Sequence, residues 1–319
     1  MERSAVVACA QVEPVVLDRD ATLARLEHTA AEAKRNGAEL VVFPETFVPV
    51  YPSSRWAKAF AGWQNAGAKE TFARIAQQSV AVGSAAERRI GAAAAELGVW
   101  LVTGVNEVEP ERQGTIYNSL LFHAPDGSLA LHHRKLVPTN HERLVWGQGD
   151  GRGLTAVDTG FGRIGGLICW ENYMPLARFA LYEAGVELYV ASTADDGDAW
   201  QATLVHIARE SRAFVISPCH FQRESAYPVD FPLHSEIEGA GTIGRGGSAI
   251  LAPDGSYLAG PLYDEEAILY AELDPARLLA ERQRFDPVGH YSRPDVLSLS
   301  VRADDVTPSR RPSARSSRP

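Results

Sequence analysis

Three residues, each near the end of an apolar run, have the side chains and spacing for covalent chemistry. Cys169 closes the run Ile164-Gly165-Gly166-Leu167-Ile168-Cys169 and is followed by Trp170-Glu171-Asn172-Tyr173-Met174-Pro175. The run reads as a buried strand, and Pro175 suits the first turn of a helix. The thiol then sits at a strand-to-helix corner, where a sheet holds the sulfur and the turn opens it to a reactant. A buried, inert cysteine is the competing reading. Glu45 ends Leu40-Val41-Val42-Phe43-Pro44-Glu45; a carboxylate in such company is partly desolvated, so its pKa rises toward what a general base needs. Lys135 lies between the strand ending at His133-Arg134 and the turn-rich stretch that starts Leu136-Val137-Pro138-Thr139. Singly, Glu45 and Lys135 are a strand-end charge and a solvated cation. With Cys169 they form a candidate triad: a sulfur nucleophile, an ammonium that favours thiolate, and a carboxylate that moves protons.

The Phe43-Pro44-Glu45 strand end, the His133-Arg134-Lys135-Leu136 segment with its extension Glu142-Arg143-Leu144-Val145-Trp146-Gly147-Gln148-Gly149-Asp150-Gly151, and Ile168-Cys169-Trp170-Glu171-Asn172 together resemble the nitrilase superfamily of carbon–nitrogen hydrolases, and within it the true nitrilase branch. The similarity runs from about Ala5 to Val301. Thr193-Ala194-Asp195, Trp200-Gln201, Gly246-Gly247-Ser248 and Gly289-His290-Tyr291 are similar to plant-like and cyanoalanine-type nitrilases, whereas Val48 to Trp56 departs from the glycines those relatives tend to carry. The resemblance implies hydrolysis of an organic nitrile to a carboxylic acid and ammonia through thioimidate and thioester intermediates on Cys169, with no cofactor. It implies a second glutamate, Glu142, that helps to position substrate and Lys135, and homodimers that grow into larger or spiral assemblies. An amidase or carbamoylase using the same triad is the rival activity. Amidase branches commonly place a small or aromatic residue and then aspartate after the cysteine, where this chain has Trp170-Glu171. A scaffold protein with a dead site is a further rival, opposed by the competent residues at all four positions.

Other groups are weaker candidates. Tyr51, Trp56, Trp170, Thr193 and Trp200 are candidates for the substrate pocket wall, although aromatic residues usually pack a core. The Trp170 backbone N–H, next to the nucleophile, is a candidate oxyanion donor. His132, His133 and His141 cluster in sequence without a standard zinc spacing, so no metal is expected. His206, four residues before Glu210, could instead serve a Cys–His pair with Cys169.

Composition excludes several classes. The chain has 319 residues, 45% hydrophobic and 22% charged, enough for a large core, and a formal net charge of −9 that disfavours nucleic acid as the main partner. No apolar run approaches a bilayer span, and Met1-Glu2-Arg3-Ser4 leads directly into a strand without the apolar core of a secretory signal. The odd set Cys9, Cys169 and Cys219 lacks metal spacing and suits a reducing, cytoplasmic compartment, with Cys9 and Cys219 as core residues.

The elements that must position these groups alternate between strand and helix. Ala5 to Gln11, Glu39 to Phe43 and Trp100 to Val105 read as strands. A helix capped by Asp20 should bury Leu23, Leu26, Ala30 and Ala33, and Ser84-Ala85-Ala86-Glu87 should open another that ends at Gly98. Pro-Asp-Gly-Ser occurs at Pro125 to Ser128 and again at Pro253 to Ser256, turn chemistry that marks two hairpins and hence two similar halves. Two β-rich halves with helices outside can bury both sheets by stacking them, an α-β-β-α sandwich. The resemblance implies the same α/β fold. Asp274-Pro275 starts a last helix. The hydrolase domain is expected over residues 1–302, with a disordered Ser/Pro/Arg-rich tail over 303–319.

Overall fold

The computed structural model describes residues 1–112 and 114–303. The elements are β1 (Ala5–Gln11), α1 (Arg19–Arg35), β2 (Leu40–Val42), α2 (Ser54–Ala57), α3 (Ala66–Gln78), α4 (Ala85–Leu97), β3 (Trp100–Val108), β4 (Ile116–His123) and β5 (Leu129–Arg134) in the first part of the chain. The second part holds β6 (Val157–Asp158), β7 (Arg163–Gly166), α5 (Pro175–Glu183), β8 (Leu188–Val190), α6 (Asp198–Ser211), β9 (Phe214–Ser217), β10 (Phe221–Arg223), β11 (Thr242–Leu251), β12 (Tyr257–Tyr263), β13 (Ala267–Leu273) and α7 (Pro275–Arg284). Among the described residues, no helix is long and apolar enough to cross a membrane.

Side-chain alternation along the strands builds the layers. In β1 and β2, Val7, Cys9, Leu40 and Val42 point to a core shared with Ile164, Leu188, Val190, Phe214 and Ile216 of the other half. Their neighbours Ala8, Ala10, Val41 and Phe43 face outward against Leu23, Leu26 and Ala30 of α1 and Ile90 and Ala94 of α4. The second sheet repeats the pattern, with Tyr189 and Val215 packed on Leu181 of α5 and on Leu204 and Ile207 of α6. The result is the expected helix-sheet-sheet-helix sandwich. Each buried Val, Leu or Ile contributes on the order of 1.5–3 kcal/mol relative to exposure.

The two halves share a topology. One sheet runs β13-β1-β2-β3-β4-β5 and the other β10-β11-β9-β8-β7-β6 with β12 on β11. Three neighbouring strands are parallel in each, β1-β2-β3 and β7-β8-β9, and each set passes to an antiparallel hairpin, β4-β5 or β11-β12. Pro125 to Ser128 and Pro253 to Ser256 are the tips of those hairpins. Parallel strands gather their carboxyl ends at one edge, where sites in such sheets form.

Local expectations hold with shifts at the ends. Ser84 caps α4, accepting the Glu87 N–H at 3.3 Å, and Gly98 closes it in the left-handed region at φ 60°. Asp274 caps α7 with Pro275 in its first turn. The cap of α1 is Asp18 rather than Asp20, because Arg19 is already helical and the Ala21 N–H reaches Asp18 Oδ1 at 2.9 Å. Asp20 falls in the first turn, where its charge complements the helix dipole. Beyond Val301 the expected tail lies, from residue 304, outside the described residues.

Candidate active site

Four side chains meet where the carboxyl ends of the parallel strands face each other. Glu45 follows β2 in a turn whose next residue, Thr46, has φ 40°. That turn lies directly on β3 at Gly104, where any Cβ would collide with the Pro44 carbonyl oxygen and the Thr46 nitrogen. Lys135 directly follows β5, and its N–H bonds the Asn118 carbonyl of β4 at 2.8 Å. Glu142 sits in a short 3-10 turn, Asn140–Leu144. Cys169 begins another, Cys169–Tyr173, at φ 52°, a left-handed conformation that is strained for any residue with a Cβ and typical of an exposed nucleophile corner. The parallel pairing continues past β7 to that corner through Leu167 N–H to Val190 O at 3.0 Å and Cys169 N–H to Ser192 O at 2.9 Å.

The four side chains form one buried ring. Lys135 Nζ donates to Glu45 Oε1 at 2.7 Å and to Glu142 Oε2 at 2.6 Å, and none of the three is more than 1% exposed. Asn118 Nδ2 donates to Glu45 Oε1 at 2.6 Å, while Tyr51 OH at 2.8 Å and the Thr139 N–H at 2.6 Å hold Glu142. One oxygen of each carboxylate and Cys169 Sγ lie within 4.8 Å of one another. Thr193 donates its hydroxyl to the sulfur at 3.1 Å. Glu45 Oε2 is buried with no hydrogen-bond partner, so one oxygen of this carboxylate remains uncommitted.

The carbon-nitrogen hydrolase family profile matches residues 6–283. The chain belongs to the carbon-nitrogen hydrolase family. It is similar to an aliphatic nitrilase of Sinorhizobium fredii (strain HH103), 42% identical over 299 residues that cover 94% of this chain and 95% of that one. A bifunctional nitrilase/nitrile hydratase of Nicotiana tabacum is 41% identical over 303 residues, 93% of this chain and 86% of the relative. Among solved structures, a carbon-nitrogen hydrolase from Helicobacter pylori G27 superposes with a TM-score of 0.73 at 20% identity, covering 92% of this chain and 96% of the other, a likeness of fold.

In this carbon-nitrogen hydrolase, burial sets the charges of the ring. Desolvation pushes Glu45 up to about 7, with the Glu142 charge adding to the rise and Lys135 and Asn118 opposing it. The expectation of a raised carboxylate pKa therefore holds. Lys135 is lowered by burial, but the paired Glu45 and Glu142 charges more than offset that and hold it above the usual lysine range as an ammonium. Cys169 is under opposing influences. Burial and then the Glu45 charge push its thiol well up, and Lys135 and the Thr193 hydrogen bond do not reverse this. Burial therefore favours the thiol at rest, while Lys135 pulls toward thiolate against it.

A cavity of about 390 Å³ opens at Cys169. Of the five proposed wall residues, Tyr51 and Trp170 line it and Thr193 touches the sulfur. Trp56 and Trp200 do not. Trp56 is buried among Phe60 and Phe231 with its indole N–H on Tyr227 OH at 2.8 Å, and Trp200 lies under the second sheet with its N–H on Ser217 Oγ at 3.2 Å. A larger hollow, about 900 Å³, lies between α1, α3 and α4 and touches none of the ring. The Cys–His alternative fails on geometry, since His206 is 63% exposed and faces Glu210 at 3.6 Å while a hydroxyl bonds the sulfur. The three clustered histidines diverge to Glu107, Glu171 and the Pro52 carbonyl. Asn118, Asp195, Asp196 and His220 are site residues that sequence reasoning missed. Asp195, Asp196 and His220 follow β8 and β9, so the rule that sites gather at the carboxyl ends of parallel strands was the available signal.

Glu171 ties two arms of the ring together. It is 1% exposed, and its Oε2 accepts the Ile168 N–H at 2.8 Å, next to the nucleophile. Its Oε1 accepts the Leu136 N–H at 2.5 Å, next to Lys135, and His133 Nε2 lies 3.0 Å from Oε2. Glu171→Gln turns one acceptor into a donor that must face a backbone N–H, leaving buried donors unpaired at about 1–3 kcal/mol each. The expected result is a lower melting temperature together with a kcat roughly tenfold to a hundredfold below native at temperatures where the variant stays folded, as the sulfur and ammonium lose register. Native kcat in the folded variant would show that Glu171 serves stability alone.

Proposed function

We propose that this hydrolase converts an organic nitrile to its carboxylic acid and ammonia, with Cys169 as nucleophile, Glu45 as general base and acid, Lys135 as electrostatic stabiliser and Glu142 as the group that positions Lys135. The observation that supports it best is one buried ring in which Glu45, with one oxygen uncommitted, and Glu142 each bring an oxygen within 4.8 Å of the Cys169 sulfur. The 41–42% identity to proteins named nitrilases supports the substrate class.

The charges dictate the order of events. With the thiol pushed well above its usual range and Glu45 near 7, a thiolate does not accumulate before substrate arrives. Attack is therefore concerted: Glu45 takes the thiol proton as sulfur bonds to the nitrile carbon, and the proton passes to the nitrile nitrogen to give the thioimidate. Lys135 offsets negative charge on that nitrogen, and the Trp170 N–H, next to the nucleophile in the chain, serves as donor to the oxyanion that follows. Water activated by Glu45 adds to give a tetrahedral adduct. Loss of protonated nitrogen as ammonia leaves the thioester, and a second water gives the acid and restores the thiol. Loss of Cys169 from the adduct would instead give the amide.

That branch point supplies a prediction. Two carboxylates near the adduct favour a protonated, departing nitrogen, so acid should be the main product, and Glu142→Gln should raise the amide share. Chromatography of products from a nitrile panel, with the matching amides run alongside, measures this. Amide as the main native product, or hydrolysis of amides without nitriles, would overturn the assignment. An unchanged ratio in the variant would confine Glu142 to holding Lys135. The resemblance further leads us to propose a cytoplasmic homo-oligomer, a placement supported by three free, buried cysteines.

A further inference from the structure

The cavity at Cys169 has a polarity that the ring itself does not require. Its charged lining groups are Glu142, Asp195 and Asp196, and no lysine or arginine lines it among the described residues. Asp195 is fixed by the Trp170 indole N–H on Oδ2 at 2.8 Å and the Gly197 N–H on Oδ1 at 3.0 Å. Asp196 takes the Arg245 backbone N–H on Oδ2 at 3.0 Å. The Arg245 guanidinium is outside the lining, 4.2 Å over the Tyr263 ring and bonded to Asp198 at 3.0 Å and to the Asp196 carbonyl at 3.2 Å. The Tyr51 hydroxyl and the Thr139 N–H, which could have met an anionic ligand, are spent on Glu142.

An acidic wall alone would indicate nothing, but His220 adds an independent observation. It lines the cavity, is 3% exposed, and its Nε2 is bonded to the Glu45 carbonyl. A carbonyl oxygen only accepts, so Nε2 carries the proton. Burial holds the ring neutral, with its pKa lowered to about 4, so Nδ1 is a bare acceptor, and that atom is buried without a partner. Leaving such an acceptor unmet costs about 1–3 kcal/mol, which a ligand N–H can return. Trp170, half exposed in the same lining, offers an aromatic face of the kind that attracts cations.

We propose that the preferred substrates are nitriles that carry a protonated amine, with the ammonium held between the Asp195 and Asp196 wall and His220 Nδ1, against Trp170. The inference rests on the nitrile-hydrolysing reading of the site. An ammonium meets complementary charge and an unfilled acceptor. A carboxylate on the substrate would meet three acidic side chains and no free cation, and a bare aryl group would leave Nδ1 unsatisfied.

The test is a matched series at pH 7: γ-aminobutyronitrile, its neutral isostere valeronitrile, γ-cyanobutyrate and benzonitrile, each read as kcat/KM by ammonia release. The ammonium nitrile should exceed valeronitrile by roughly tenfold or more, the change a single well-placed charge contact brings at a partly solvated site, and γ-cyanobutyrate should fall below it. In His220→Phe and Asp196→Asn the ratio of ammonium to neutral substrate should drop toward one. Because both rates come from one preparation, loss of folded enzyme cancels from the ratio. A native ratio of one or less, or a ratio unchanged in both variants, overturns the inference while nitrile turnover itself still stands. No turnover of any nitrile would overturn the nitrilase reading and this inference with it.

Discussion

The Cys169→Ala enzyme should release no ammonia from any nitrile, a loss on the order of 10⁴ or more, while keeping its melting temperature within a few degrees. Every covalent intermediate in the proposed reaction is carried by this one sulfur, and neither of the other cysteines can substitute. Cys9 lies in the core between the sheets, and Cys219, although near the ring, is fully buried outside the cavity lining with its sulfur on the Asp195 carbonyl. The fold should tolerate the change because alanine bears the same Cβ as cysteine in the left-handed conformation at φ 52°, so the backbone strain is unaltered. Mass spectrometry of the native enzyme with a slowly hydrolysed nitrile should place the adduct on the Cys169 peptide. Label on Cys9 or Cys219 would refute the nucleophile assignment.

Glu45→Gln and Lys135→Met should each lower turnover by several orders of magnitude, and the double variant should be little worse than the poorer single one, because residues that act as a unit are not independent. Stability should couple in a different way. Lys135→Met leaves Glu45 and Glu142 buried without a counter-ion, a loss of about 3–5 kcal/mol. Adding Glu45→Gln removes one of those charges and should recover part of that loss. In the native enzyme kcat/KM should fall as pH drops through about 7, because the base is active only when deprotonated and burial has raised Glu45 to that value. The residual activity of Glu45→Gln should lack this step. Losses that multiply in the double variant, or an acid limb that survives in Glu45→Gln, would break the triad.

Much of this site was legible because its residues sit at local boundaries. Glu45, Lys135 and Cys169 each stand near the end of a short apolar run, and Pro175 and the two Pro-Asp-Gly-Ser tips fix where strands stop. The helix-sheet-sheet-helix layering followed from the repeated hairpin and the family resemblance. What stayed hidden depends on contacts between distant segments. Asn118 reaches Glu45 across 73 residues of chain, and His220 meets the Glu45 carbonyl across 175. Trp56 and Trp200 looked like pocket residues because an indole gives the same local signal in a core as in a cavity. The size of the burial effect on Cys169 was hidden for a related reason: a sequence shows that a lysine and a carboxylate stand near the sulfur, but only the packed site shows that burial and the Glu45 charge outweigh the lysine.

The protonated resting thiol also determines how the enzyme meets oxidants and alkylating agents. Peroxide, molecular disulfides and haloacetamides all react with thiolate, and a sulfur that is 3% exposed and held as thiol offers them almost none. Reactivity is generated only when an electrophile small enough for the cavity sits where Glu45 can remove the proton during attack. Inactivation by bulky reagents should therefore be slow, while compact electrophiles that mimic the nitrile carbon should react at the enzyme's own pace, so chemical selectivity in this site derives from the delayed ionisation of its nucleophile.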